Sequence, residues 1–245
     1  MKGTLVVTGG SRGIGAASAL LAAKKLGCPV AVNYRNDKAA AEGVVAAIVK
    51  SGGKAAAIQG DTGVEADVVR LFAEAEKKLG PIGGLVNNAG ILGPIGRVDE
   101  VKLADLERLW AVNITGFFLA AREAVKRLST RRGGRGGAIV NISSAAVRLG
   151  APGEFVPYAA SKGAVHSFTI GLGKEVAAEG VRVNAVEPGL IDTDIQPPGR
   201  AEKFGPTVPI GRAGRPEEVA EAVVWLLSDA ASYLCGSILQ VSAGR

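Results

Sequence analysis

The strongest constraint on this chain is an alternation that runs along it. Short apolar segments take turns with longer ones whose apolar residues recur at helical spacing. Leu5–Thr8 reads as a strand ending in Thr8-Gly9-Gly10-Ser11-Arg12-Gly13-Ile14-Gly15, and a helix rich in Ala and Leu runs on to Gly27. Further strands are predicted over Cys28–Asn33, Ala55–Gln59, Gly84–Val86, Ala138–Ile142, Arg182–Val186 and Ile238–Val241. Helices are predicted over Lys38–Ser51, Val64–Leu79, Leu103–Leu128, Tyr158–Ala178 and Pro216–Leu227. Gly52-Gly53 lies just past the end of the first of these, and Pro216 suits a first helical position. No linker or repeat interrupts the series. Strand–helix–strand connections of this kind give a parallel sheet with helices on both faces, so residues 1–245 are expected to form one α/β domain.

Ligands of such sheets bind beyond the carboxyl ends of the strands. Gly9, Asn33, Asp61, Asn88 and Ser144 all follow predicted strands. The first glycine-rich turn lies between a strand and a helix, where backbone amides and a helix N-terminus hold phosphate and no Cβ blocks the approach. Its spacing, Gly9, Gly13 and Gly15, departs from the usual G-x-G-x-x-G.

Tyr158 and Lys162 stand four apart on a predicted helix, hence on one face, one turn from each other. A phenol titrates near ~10 and is a poor base at neutral pH. A neighbouring ammonium favours the phenolate, and such a pair suits proton transfer to and from an alcohol or ketone. Alone, the pair reads as an ordinary solvated helix edge; the glycine-rich turn, Asn113 and Ser144 lend it weight.

Composition excludes other chemistries. The single histidine, His166, leaves little room for a histidine-based triad or a histidine-rich metal site, and no metal is expected. Cys28 and Cys235 show no metal or redox spacing. No apolar run has membrane length and the N-terminus lacks signal-peptide shape, so a soluble cytoplasmic protein is expected. The net charge of +6 gathers locally at Arg122, Lys126, Arg127, Arg131, Arg132 and Arg135. Most of these close a predicted helix, where cations suit the dipole, and no aromatics accompany them; nucleic acid is not expected as a partner.

Taken in order, Thr8-Gly9-x-x-x-Gly13-x-Gly15, Asp61, Asn87-Asn88-Ala89-Gly90, Asn113, Ser144, Tyr158-x-x-x-Lys162 and Pro188-Gly189 resemble the classical short-chain dehydrogenases/reductases over essentially the whole chain. The resemblance implies a single Rossmann-type, doubly wound parallel sheet of seven strands. It also implies hydride transfer between a nicotinamide cofactor and an alcohol or carbonyl carbon. Tyr158 resembles the family's acid/base, and Lys162 the group that lowers the phenol pKa and bonds the nicotinamide ribose. Ser144, rather than Ser143, resembles the hydroxyl that holds the substrate oxygen, and Asn113 the anchor of a proton-relay water. Asp61 resembles the acceptor for the adenine amino group. Around it the resemblance implies contacts from Gly9, Ser11, Arg12, Gly13, Ile14 and Gly15, and from Thr62, Asn88, Ala89 and Gly90. Pro188, Gly189, Ile191 and Thr193 would meet the nicotinamide. The Ser144–Tyr158 interval and the tail Val241-Ser242-Ala243-Gly244 depart from the family's usual pattern.

Three finer expectations follow. NAD-dependent relatives place an acid after the second strand to hold the ribose diol. Here Tyr34 takes that place, Arg35 follows it and Arg12 lies in the turn, which suits a 2′-phosphate; NADP(H) is expected over NAD(H), with Asp37 the competing acid if the strand ends later. A homotetramer is expected through the helices 103–128 and 158–178, with Phe117, Phe118 and Phe168 as apolar anchors. The substrate is expected to be a small polar or sugar-like carbonyl or alcohol, with Glu154 accepting hydrogen bonds from a polyol and the segment near 190–215 covering it. The interval loop containing Glu154 resembles that of glucose or ribitol dehydrogenase-like proteins. A 3-oxoacyl-[acyl-carrier-protein] reductase is the alternative, with Arg135 as a basic residue at the pocket mouth; a cofactor-binding protein without catalysis is a third reading.

Overall fold

The computed structural model describes residues 2–245. Seven strands, β1 (Thr4–Val7), β2 (Val30–Tyr34), β3 (Ala55–Gln59), β4 (Ile82–Asn87), β5 (Gly137–Ile142), β6 (Val181–Pro188) and β7 (Ile238–Val241), form one sheet in the order β3-β2-β1-β4-β5-β6-β7. Every pair is parallel. The order reverses between β1 and β4, and this is the switch point at which such sheets open a crevice.

Side chains on successive strand residues point to opposite faces, so each strand feeds two cores. Leu5, Val7, Val30, Val32 and Val140 pack with helices α1 (Gly13–Leu26), α2 (Lys38–Lys50) and α9 (Pro216–Leu227). Val6, Ala31, Leu85, Ile139 and Val183 pack on the other face with α3 (Glu65–Leu79), α5 (Gly116–Leu128) and α7 (Val156–Val176). The short helices α4 (Leu103–Trp110), α6 (Ala146–Leu149) and α8 (Arg200–Phe204) lie in the connections around the carboxyl ends of the strands.

Two predicted helices differ in detail. The helix expected over 103–128 is continuous in path but widens at Ala111–Thr115 into a π turn, which divides α4 from α5. Such turns concentrate at functional sites, and this one carries Asn113. Helix α7 starts two residues before Tyr158, because Pro157 fits a first helical turn, and it ends at Val176.

Candidate active site

A cleft of about 520 Å³ runs across the carboxyl ends of the strands. Its first wall is the turn after β1, held by side chains from neighbouring strands. Thr8 Oγ1 accepts from the amides of Asn88 (2.8 Å) and Ala89 (3.1 Å). Asn88 Nδ2 donates to the carbonyls of Thr8 and Gly9, both at 3.0 Å. The Gly9 amide donates to Asn33 Oδ1 (3.2 Å), whose Nδ2 donates to Ile58 O (3.3 Å) and Gly60 O (3.0 Å). The ends of β1, β2, β3 and β4 are thus tied into one rim.

Glycine is required in this rim for space. A Cβ at Gly15 would stand 2.3 Å from Gly9 O and 2.6 Å from Asn88 Nδ2. Gly13 has φ 53°, and a Cβ there would come within 3.2 Å of Thr193 Cγ2. The bare backbone at the N-terminus of α1 fits the diphosphate of a dinucleotide. Ser11, Arg12, Gly13, Ile14 and Gly9 line the cleft here. Gly15 lies behind it, buried.

The floor beyond β2 and β3 carries Tyr34, Arg35, Asp61 and Thr62. Tyr34 is buried in the α2-side core, whereas Arg35 is exposed and forms no ion pair among the described residues. β2 ends at Tyr34, and Asp37 accepts from the Ala40 amide (3.0 Å) as the cap of α2. One oxygen of the competing acid is thus engaged as a helix cap, while Asp37 itself still lines the cleft. Asp61 bonds Arg108 through Oδ2 (2.7 Å) and accepts from the Gly63 amide through Oδ1 (2.9 Å). Arg12 faces Asp194 at 3.6 Å, with both side chains well exposed, so turn and covering segment meet over the cleft.

At the far end stand Ser144, Tyr158 and Lys162, with Ala89, Gly90, Pro188, Gly189, Ile191 and Thr193 along the sides. Ser144 Oγ accepts from the Ala146 amide (3.1 Å) and stands near enough to the Tyr158 phenol to favour its charged form. Ser143 is buried behind it, its Oγ donating to Lys162 O (3.4 Å). Lys162 is buried, with Nζ donating to Ile142 O (2.8 Å) and lying 5.7 Å from the Tyr158 ring centroid and 4.9 Å from that of Phe117. Asn113 accepts from the Ile91 amide (2.9 Å) and donates to Ile91 O (2.9 Å) and Ser161 Oγ (3.1 Å). A Cβ at Gly90 would be 3.5 Å from both Asn113 Oδ1 and Lys162 Nζ, so that backbone lies directly against both groups.

Burial pushes the Tyr158 phenol up, with the Ser144 hydroxyl opposing. Burial also brings the Lys162 ammonium down to about 7. Desolvation disfavours the charged form of each group, and the influence that opposes it at the phenol is Ser144 rather than the expected Lys162.

Glu154 is placed differently from the expectation. It lies off the cleft lining, and its carboxylate grips Arg200 through bonds of 3.2 and 2.6 Å, which holds it below the usual carboxylate range. Arg200 also lies over the rings of Phe155 (5.2 Å) and Phe204 (4.9 Å). A carboxylate satisfied by a forked guanidinium has little capacity left for a polyol. Arg135 is also misplaced by the expectation: it precedes β5, at the amino ends of the strands, opposite the cleft. Sequence reasoning passed over Arg108, Leu92 and Val112, which line the cleft, and the positioning role of Asn33; Asp194–Gln196 line it from within the segment expected to cover the substrate. Asn33 alone carried a signal, as an amide at the end of an apolar strand.

Residues 9–245 match a family model described as enoyl-(acyl carrier protein) reductase. The chain is 49% identical over 244 residues to the uncharacterized oxidoreductase YgfF of Escherichia coli, covering 98% of each protein. The chain is a classical short-chain dehydrogenase/reductase. As such it is an oxidoreductase of a family that uses nicotinamide dinucleotides and acts on CH–OH groups. It is 40% identical to a 3-oxoacyl-[acyl-carrier-protein] reductase of Synechocystis, covering 98% of this chain and 95% of that one. A crystal structure of a short-chain dehydrogenase from Burkholderia cenocepacia in complex with NADP superposes with a TM-score of 0.90 at 33% identity, covering 98% of this chain and 96% of that one. Among the described residues no helix is long and apolar enough to cross a membrane, and no acidic, histidine or cysteine cluster could hold a metal.

Proposed function

We propose that the enzyme interconverts a small carbonyl compound and its alcohol with NADP(H), using Tyr158 as the proton donor and acceptor. The observation that carries this reading is the meeting of Ser144, Tyr158 and Lys162 at one end of a cleft whose other end is a glycine-lined helix N-terminus. When bound, the nicotinamide dinucleotide supplies or accepts the hydride. Ser144 Oγ holds the substrate oxygen beside the Tyr158 hydroxyl. In reduction Tyr158 delivers its proton to that oxygen as negative charge develops there, and burial keeps the phenol protonated and ready to do so. In oxidation Tyr158 takes the alcohol proton, with Lys162 Nζ 5.7 Å from the centre of its ring. Asn113, fixed to Ile91 at both ends of its amide, holds the loop after β4 against Lys162.

The preference for NADP(H) is supported by Arg35, exposed and without an ion pair among the described residues. A compact substrate is supported by the Glu154–Arg200 pair, which ties the loop before α7 to the covering segment. Recognition of a polyol by Glu154 is no longer part of the reading. Reduction of a 3-oxoacyl thioester is the second reading, favoured by the likeness to the Synechocystis reductase. A homotetramer is proposed through α5 and α7: Phe117 turns into the core, but half-exposed Phe118 meets Phe168 as a tilted pair with centroids 4.1 Å apart, and Ile170 of α7 is also exposed.

A screen of diketones, aldoses and acetoacetyl thioesters with NADPH and with NADH tests the proposal. Turnover of small carbonyls with NADPH preferred is the expected result. Thioester reduction alone would install the second reading. Tight dinucleotide binding without turnover of any substrate would leave a cofactor-binding protein.

A further inference from the structure

Three peculiarities of the sequence converge behind the cleft: the arginine in the long Ser144–Tyr158 interval, the single histidine and the unusual tail. Arg148 stands four residues after Ser144, His166 four after Lys162, and Glu187 immediately before Pro188. Arg148 Nε bonds Glu187 Oε1 (2.7 Å), and His166 Nε2 lies 3.4 Å from Glu187 Oε2. Arg148 also reaches Ser242 Oγ (3.4 Å) and the Arg245 carbonyl, while Ser242 Oγ donates to that same carbonyl (2.9 Å).

The cluster is costly to place here. Glu187 is only 1% exposed, and its charge is matched by Arg148 from one side. His166 Nε2 is buried without a hydrogen-bond partner, although a carboxylate oxygen stands beside it. Burial is the main influence holding His166 below its usual value; Glu187 pulls it up and Arg148 down.

The main chain repeats the same connections. The Ala145 amide donates to Pro188 O (2.8 Å), and the Gly189 amide to Val241 O (3.0 Å). A Cβ at Gly189 would lie 2.9 Å from Ser242 Cα, so strand end and tail are in contact. Three segments that form the far end of the cleft are therefore joined, one residue each, in one ion cluster centred on buried Glu187.

We infer that Arg148, Glu187 and His166 form a positioning cluster that couples the tail Ser242–Arg245 to the segments carrying Ser144, Lys162 and Pro188, so that a dinucleotide in the cleft is sensed at His166. No member of the cluster touches the reacting atoms. The coupling runs through α6, α7 and the end of β6, which share Glu187 as their common partner.

The single histidine makes the cluster directly observable, because one imidazole gives one set of ring resonances. The experiment is an NMR titration of histidine-labelled protein with NADP+ and with NAD+, alongside calorimetry and thermal melting. In the wild type, saturating dinucleotide is expected to move the His166 resonance by more than its line width. Glu187→Gln should remove that response and weaken dinucleotide binding by roughly threefold to thirtyfold. Arg148→Lys, which keeps the charge and loses the fork, should fall between the two. Calorimetric binding with an unmoved His166 resonance would overturn the coupling while leaving the cofactor reading intact. Absence of binding heat with either dinucleotide would sink both. A Glu187→Gln protein that melts earlier yet binds within twofold of wild type would reduce the cluster to a structural ion pair.

Discussion

The two ends of the cleft are held by different means. The dinucleotide end is fixed by backbone: glycines without room for a methyl group, and the amides of Asn33 and Asn88 satisfied by main-chain partners. The covering segment at the substrate end is fixed by side chains, chiefly Arg200 on Glu154, Phe155 and Phe204, and Arg12 beside Asp194. Backbone contacts of the first kind leave no alternative geometry. Partly exposed ion pairs and stacked rings of the second kind are individually weak and can be exchanged. The rigid end suits a ligand that is the same in every turnover, and the adjustable end suits one that must enter and leave.

That contrast can be broken at points of decreasing leverage. Tyr158→Phe keeps the ring and removes the proton, so turnover should fall by about 10²–10⁴-fold with dinucleotide affinity nearly unchanged. Steady-state kinetics with parallel calorimetry checks this, and a variant with near wild-type kcat would remove Tyr158 from the mechanism.

Lys162, where the two ends join, should set the pH dependence of stability. Its folded value, about 7, lies below its ordinary value of 10.5, so between these the unfolded chain binds the extra proton. Stability should therefore rise as pH increases from about 7 towards 10.5, by up to a few kcal/mol, and Lys162→Met should flatten the rise. Melting temperatures across that window measure it, and equal slopes in both proteins would assign the effect elsewhere.

Gly15→Ala forces a methyl group against Gly9 O and Asn88 Nδ2. A cost of about 1–3 kcal/mol is expected, together with loss of dinucleotide affinity, since the displaced atoms belong to the phosphate turn. Unchanged affinity would mean that the rim yields more readily than its contacts imply.

Arg35→Ala should weaken NADPH by about tenfold and leave NADH within twofold, as one charge-assisted contact is lost. Equal effects on both dinucleotides would place Arg35 away from the 2′-phosphate. The smallest effect belongs to Glu154→Gln. Its partly exposed pair contributes at most about 1 kcal/mol, so KM for bulky substrates should change by a small factor while dinucleotide binding stays the same. A large loss of affinity for a polyol would restore Glu154 to the substrate site.

The two ends also differ in how much of them can be read from sequence. Strand–helix alternation and the glycine spacing specify the sheet and the turn, because local pattern and final packing agree there. Tyr158 and Lys162 are legible because four residues make one helical turn. The π turn at Ala111–Thr115 is not, since it shifts main-chain partners without demanding particular side chains. The Glu154–Arg200 pair is not legible either, because its members lie 46 residues apart and the second sits in a segment with no periodic pattern. Arg148, His166 and Glu187 belong to three different elements and meet only after the sheet has formed.

The clamp of Asn88 on Thr8 and Gly9 has a consequence for the order of folding. The turn Thr8–Gly15 is short in sequence, yet beside its bond to Asn33, 24 residues on, it is clamped by bonds that span 79 to 81 residues. A fragment carrying only the first strand, turn, helix and second strand contains every glycine and lacks the clamp. During synthesis that clamp can close only once β4 has emerged and docked beside β1. If dinucleotide binding needs the clamp, binding during refolding times the closure of the sheet's centre.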